Sequence, residues 1–113
     1  LKLESVYIGG GTPTVLTAEQ MKKITDTIKE NYDFSYIKEY TIEAGRPDST
    51  DEAKLNVMKN SGCTRISINP QTFNDKTLKT IGRNHTTKDI IEAYRLALGY
   101  NFIINILEFT CIY

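Results

Sequence analysis

The sequence predicts an α/β fold with about four parallel strands, and three observations lead to this prediction. Short apolar or β-rich runs alternate with amphipathic segments, helix-capping signals open most of those segments, and polar residues follow the runs directly. Alternation of this kind implies βαβ crossovers and a parallel sheet, open or closed toward a barrel. Four such units are too few for a complete eight-stranded barrel, which takes about 250 residues.

The predicted elements follow one another without a long unassigned stretch. Strands are predicted at about 3–8, 40–43, about 64–68 and about 102–107. The helix after the first strand is opened by the capping box Thr17-Ala-Glu-Gln20, and the helix after the second strand by the box Ser49-Thr-Asp-Glu52. Two helices follow the third strand, a short one capped by Asn74 or Asp75 and a longer one capped by Thr86 or Thr87. Apolar residues at helical spacing predict the buried helix faces: Met21, Ile24, Ile28, Tyr32, Leu55, Met58, Leu78, Ile81, Ile90, Tyr94 and Ala97.

Composition narrows the class of protein. The 113 residues, 40% of them hydrophobic and 25% charged, are typical of one globular domain. The formal net charge of +0, without a charged block, argues against nucleic-acid or membrane-surface partners. No apolar run approaches the roughly 20 residues of a membrane span, so we expect a cytoplasmic protein. The two cysteines, Cys63 and Cys111, are far apart and are expected to be buried, reduced thiols.

Polar residues stand where the predicted strands end. Gly-Gly-Gly-Thr-Pro-Thr follows the first strand, Glu43 ends the second, Asn-Pro-Gln71-Thr follows the third, and Gly-Arg83-Asn-His85 lies in the next connection. Because ligands of parallel α/β folds bind at the carboxyl ends of the strands, we treat these residues as one candidate set.

The glycine run has two interpretations. It lacks the Lys-Ser/Thr of a phosphate-binding P-loop and the G-x-G-x-x-G spacing of a dinucleotide fold. Three residues without side chains permit close approach of the main chain to a small ligand, such as an amino-acid ammonium or carboxylate. The alternative is a tight turn between strand and helix.

The side chains of the set also have alternatives. Glu43 ends a buried strand, where a carboxylate needs a partner, so it either binds a ligand or forms a salt bridge with Arg46, Arg65 or Arg83. Gln71 suits a ribose or a carboxylate, although a loop glutamine is more often solvated. His85 has no neighbouring histidine or cysteine in the sequence, so neither a metal-binding nor a catalytic role is expected.

Together YIGGGTPTVL, EYTIEAGRPDS, TRISINPQTFND and IGRNHTT resemble the radical S-adenosylmethionine (SAM) enzymes of the oxygen-independent coproporphyrinogen III oxidase (coproporphyrinogen dehydrogenase) type. The resemblance runs in collinear order from about residue 7 to 105. It implies part of a (β/α)₆ barrel, a 4Fe–4S cluster held by a CxxxCxxC loop, and cleavage of SAM to a radical. That radical abstracts hydrogen from a porphyrinogen propionate in haem biosynthesis.

The resemblance also implies roles for individual residues. Gly10, Gly11 and Thr12 would give main-chain contacts to the methionine end of SAM. Further SAM contacts would come from Glu43 as acceptor, from the Gln71 amide and from the Arg83 guanidinium. A zwitterion and a ribose need such groups.

The sequence departs from the family in two places. It contains no CxxxCxxC, and Leu107 stands where the family has a SAM-contacting aspartate. We therefore expect residues 1–113 to be a single fragment of the barrel domain, about strands two to five. Alone it would be inactive, without cluster ligands, and prone to dimerise through exposed barrel edges. The alternatives are a stand-alone SAM-binding or scaffold module, or another radical SAM reaction such as methyl transfer or haem delivery.

Overall fold

Four parallel strands form one open sheet whose spatial order follows the chain, β1-β2-β3-β4. The computed structural model describes residues 3–10, 13–44, 50–71, 74–80, 82 and 86–108. The strands are β1 (Ser5–Ile8), β2 (Glu39–Glu43), β3 (Arg65–Gln71) and β4 (Ile103–Glu108), and the helices are α1 (Ala18–Asn31), α2 (Glu52–Asn60), α3 (Asp75–Thr80) and α4 (Thr87–Gly99). A single 3₁₀ turn at Pro13–Val15 precedes α1. The predicted α/β class with four parallel strands is confirmed.

Side-chain caps fix where three of the helices begin. Thr17 and Gln20 form the predicted capping box of α1, and Thr86 forms one with Asp89 at the start of α4. The predicted box over residues 49–52 is wrong, because the N-cap of α2 is Asp51, whose carboxylate accepts a hydrogen bond from the Lys54 N–H. A carboxylate one residue before the helix is as good a cap as a serine hydroxyl, so local sequence did not discriminate between them.

The core lies between the helices and one face of the sheet. Paired residues share a face, and the register aligns Ile8 with Ile42 and Ile42 with Ile66. These side chains pack with residues of α1, α2 and α4; the buried members of the cluster are Met21, Tyr40, Ile42, Ala44, Leu55, Met58, Cys63, Ile66, Ile68, Ala93, Ala97 and Phe102. The predicted burial of Cys63, Leu55 and Met58 is thus confirmed, whereas Ile81 and Cys111 lie outside the described residues.

Two predicted core positions, Ile24 and Tyr32, are wrong; Tyr32 follows the last residue of α1 and is 40% exposed. Ile24 is 43% exposed, and Thr25 is buried in its place. Residues 24 and 25 lie on either side of the line through residues 21 and 28 along the helix, so the contacts of α1 with α2, and not the helical spacing, decide which of them faces the core. Thr25 is tolerated there because its hydroxyl donates to the Lys22 carbonyl within the helix.

The opposite face of the sheet carries mainly polar residues, with the exposed Ile103 of β4 opposite Arg65. Tyr7 pairs with Thr41, which pairs with Arg65, and Glu43 pairs with Ser67. The Arg65 guanidinium reaches across to β4, where its Nη1 donates to Asn105 Oδ1 at 2.9 Å. The described part of the chain gives no support to the predicted dimerisation through strand edges, and among the described residues no helix is long and apolar enough to cross a membrane.

Candidate functional site

The carboxyl ends of β1 and β2 bring the glycine run and Glu43 together. Ile8, the last residue of β1, pairs with Ile42, so Gly9 leaves the sheet beside Glu43. A β-carbon placed on Gly9 would lie 3.0 Å from both Cδ and Oε1 of Glu43. The Glu43 carboxylate therefore lies beside Gly9, as expected for residues at one edge of a parallel sheet.

Glu43 accepts a hydrogen bond from the hydroxyl of Tyr7, which bonds to its Oε1. Tyr7 lies opposite Thr41, two residues before Glu43, so the two side chains are diagonal neighbours on the polar face. The hydrogen bond to Glu43 raises the pKa of Tyr7 above its ordinary value of 10.0, with smaller contributions from desolvation and from the charge of Glu43. Tyr7 is thus a neutral donor throughout the physiological pH range.

Glu43 forms no ion pair with any described residue. Of the three arginines predicted as alternatives, Arg65 donates to Asn105 instead, and Arg46 and Arg83 lie outside the described residues. A tyrosine hydroxyl orients a carboxylate but leaves its negative charge in place. Within the described part of the chain, the site therefore has an anionic group held by a neutral partner.

Gly9 and Gly10 need to be glycines for different reasons. At Gly9 a β-carbon would come within 2.5 Å of the Tyr7 ring atom Cε1, so the contact between Tyr7 and Glu43 occupies the space of a side chain. Gly10 has φ of +106°, which side-chain-bearing residues rarely adopt, and no heavy atom lies within 4 Å of the β-carbon position. Gly10 therefore makes a turn with a positive φ, and among the described residues nothing fills the space on its side-chain position.

The remaining predicted site residues are described in part or not at all. Gly11, Thr12 and Arg83 lie outside the described residues, as does His85. Gln71 ends β3 and pairs with Glu108 of β4 after a register shift that begins at Ile68, but the placement of its side chain is not described. Of the predicted set, Glu43 and Gly10 are thus the members whose surroundings are described: Glu43 lies beside Gly9, and Gly10 is the next residue along the chain.

Two contacts near the candidate site had not been predicted: the hydrogen bond from Tyr7 to Glu43 and the hydrogen bond from Lys54 to Thr14. The Lys54 ammonium of α2 donates to the carbonyl of Thr14, so helix α2 holds the segment that follows the glycines. Thr14 is completely buried. Two features of the sequence could have pointed to Tyr7: it precedes the glycines by two residues, and it alternates with Val6 and Ile8 and so faces the other side of the strand. No sequence signal points to Lys54.

Comparison with known proteins identifies the family. The model of the Radical SAM superfamily matches residues 1–111, and the chain belongs to that superfamily. It is 46% identical over 98 residues to the oxygen-independent coproporphyrinogen-III oxidase-like protein HemZ of Bacillus subtilis, covering 86% of this chain and 20% of HemZ. It is 42% identical over 92 residues to the heme chaperone HemW of Lactococcus lactis, covering 81% of this chain and 24% of HemW.

A solved structure supports the assignment to the Radical SAM superfamily. The coproporphyrinogen III oxidase HemN from Escherichia coli, a radical SAM enzyme, superposes with a TM-score of 0.85 at 26% identity, covering 95% of this chain and 25% of HemN. The sheet described above therefore matches part of a TIM-barrel-like radical SAM fold. The chain spans a fifth to a quarter of the length of HemZ and this HemW.

Membership of the superfamily implies SAM and a 4Fe–4S cluster in the protein to which the chain belongs. The described residues fit the methionine end of SAM, because a carboxylate that has no cationic partner among them can accept hydrogen bonds from an ammonium. The described residues do not suit the cluster. They contain no group of three histidine, cysteine or acidic side chains that could hold a metal, and burial raises the pKa of the Cys63 thiol to about 11, whereas metal ligation needs the thiolate.

Proposed function

We propose that this chain forms the SAM-binding edge of a radical SAM protein related to the coproporphyrinogen oxidases and heme chaperones. The observation that carries the proposal is the Glu43 carboxylate, which lies beside Gly9 at the ends of β1 and β2 and has a neutral hydroxyl, not a cation, as its partner among the described residues. A buried or half-buried carboxylate without a cationic partner is costly unless a ligand supplies the charge. The ammonium of SAM is such a ligand.

Each residue of the proposed site has a simple task. Glu43 accepts hydrogen bonds from the ammonium, and the open main chain at Gly10, together with Gly11 and Thr12, binds the methionine carboxylate and ammonium. Gln71 and Arg83 complete the set through an amide and a guanidinium. Hydrogen abstraction is the chemistry that bound SAM supplies in this family. The part that this chain plays is to bind and orient SAM, and the cluster ligands belong to residues outside the sequence given.

Titration of the purified protein with SAM tests this proposal. Glu43→Gln removes the charge and keeps the shape, so the Kd should rise about tenfold to a hundredfold, the usual contribution of a charge-assisted hydrogen bond. Glu39→Gln is the matched control, because Glu39 is an exposed glutamate at the opposite end of the same strand. Equal affinities of the wild-type protein and Glu43→Gln for SAM would contradict the assignment of Glu43.

For the reaction we propose oxidative decarboxylation of porphyrinogen propionates, as the resemblance implies. A second candidate, haem delivery, is favoured by the relatives named heme chaperone. The two are distinguished with the protein reconstituted anaerobically with iron and sulfide. Conversion of coproporphyrinogen III in the presence of SAM and a reductant supports the oxidase. Stoichiometric haem binding without conversion supports the chaperone, and SAM binding without formation of 5′-deoxyadenosine supports a binding module without catalysis.

A further inference from the structure

The hydrogen bond between Tyr7 and Glu43 joins two strands at the candidate site, and its geometry is selective. It engages one carboxylate oxygen, Oε1, and the donor is a neutral hydroxyl. An arginine or lysine in the same place would also hold the carboxylate, but it would compete with a cationic ligand by neutralising the charge. A tyrosine fixes the orientation of Glu43 without neutralising it, and no hydrogen bond to the second oxygen, Oε2, comes from the residues that the structure describes.

A glutamate side chain that is free in solution loses rotational freedom when it binds a ligand. Fixing such a side chain costs about 0.5–1.5 kcal/mol, so a residue that fixes it beforehand increases affinity. The structure meets the steric requirement for this, since Gly9 leaves room for the Tyr7 ring and the Glu43 carboxyl to approach each other. The arrangement of Tyr7, Gly9 and Glu43 is therefore preorganised.

Tyr7 has no evident role in packing. Its side chain is 62% exposed, and it lies on the polar face, away from the core that Val6 and Ile8 help to form. A large aromatic residue on an exposed position is expected to contribute little to the stability of the fold. Its described interaction is the hydrogen bond to Glu43.

We propose that Tyr7 is a positioning residue for the cationic group of SAM: it acts through Glu43, which it holds in the orientation that accepts the ammonium. This inference rests on the proposed function and adds to it a residue that the predicted SAM-contacting set did not contain. Tyr7 touches the ligand's partner and is not assigned a contact with SAM itself.

A double-mutant cycle of Tyr7→Phe and Glu43→Gln, with SAM affinity of the purified protein as the readout, tests the proposal. Tyr7→Phe removes only the hydroxyl and should raise the Kd about threefold to tenfold, the usual effect of one hydrogen bond. In the Glu43→Gln background the same change should have little further effect, because Tyr7 acts through the carboxylate. Tyr32→Phe is the matched control, since Tyr32 is also exposed but lies at the end of α1.

The outcomes separate this inference from the proposed function. If Glu43→Gln weakens binding and Tyr7→Phe does not, Glu43 binds SAM unaided and the inference on Tyr7 is overturned while the proposed function stands. If Tyr7→Phe weakens binding equally in both backgrounds, Tyr7 acts independently of Glu43 and the inference is again overturned. If the wild-type protein binds no SAM, the proposed function fails first and the inference fails with it. Far-ultraviolet circular dichroism of each variant checks that the fold is retained.

Discussion

Alanine substitutions at Gly9 and Gly10 should act on different properties of the protein, the geometry of the candidate site and the stability of the fold, although the two residues are adjacent and chemically identical. At Gly9 the problem is space, because the new β-carbon would lie 2.5 Å from Tyr7 Cε1 and 3.0 Å from the Glu43 carboxyl carbon. At Gly10 there is space, with no heavy atom within 4 Å, but φ of +106° disfavours any side chain. One substitution should therefore alter the site, and the other should destabilise the fold.

The magnitudes follow from these distances. Carbon atoms in contact are normally about 3.5–4.0 Å apart, so in Gly9→Ala the Tyr7 ring must move by about 1 Å or more. The ring is exposed and can swing outward, so unfolding should become easier by less than about 1.5 kcal/mol, the net contribution of the lost hydrogen bond. In Gly10→Ala the strained backbone should cost about 1–3 kcal/mol of stability, while the Tyr7–Glu43 hydrogen bond remains.

Two measurements distinguish these effects. Denaturant unfolding gives the stability of each variant, and nuclear magnetic resonance of ζ-¹³C-labelled tyrosine gives the pKa of Tyr7, with Tyr7→Phe assigning its signal. In the wild-type protein and Gly10→Ala the pKa of Tyr7 should lie above its ordinary value of 10.0, because Glu43 accepts its proton in a hydrogen bond. In Gly9→Ala it should return toward 10.0. A raised Tyr7 pKa that persists in Gly9→Ala would refute the steric reasoning.

Three further predictions concern the fold that supports the site. In a Cys111→Ser background, Cys63 should resist thiol reagents until the chain is unfolded. Since its pKa is raised from 9.0 to about 11, Cys63 should lower the free energy of unfolding by about 3 kcal/mol as pH rises through this range, and Cys63→Ala should make the fall smaller by that amount. Thr17→Ala removes the N-cap of α1 and should lower the free energy of unfolding, measured with denaturant, by about 1 kcal/mol. A decrease of less than a few tenths of a kcal/mol would contradict the capping geometry. Leu55→Ala should lower the free energy of unfolding by about 2–5 kcal/mol, because Leu55 is fully buried. Leu98→Ala, at an exposed position, should change the stability and the melting temperature little, and similar losses of stability in both variants would argue against the core described above.

The sequence by itself determined the features that depend on neighbouring residues. Capping boxes involve residues three apart, so Thr17 and its Gln20 partner could be predicted as the start of α1. The alternation of strands and helices predicted the parallel sheet, and the carboxyl end of β2 placed Glu43 at the candidate site. The motifs around these positions also indicated the radical SAM family, which the family model confirms.

The tertiary structure decided which distant side chains meet. Tyr7 and Glu43 are 36 residues apart, and Lys54 lies 40 residues from Thr14, so no local pattern predicts either contact. The first contact requires the particular register of β1 and β2, and the second requires the packing of α2 beside the 3₁₀ turn. The same dependence on packing explains why Thr25 and not Ile24 faces the core, since the rotation of a helix about its axis is set by its neighbours. Sequence thus placed a carboxylate at the edge of the sheet, and only the fold showed that its partner among the described residues is the neutral hydroxyl of Tyr7.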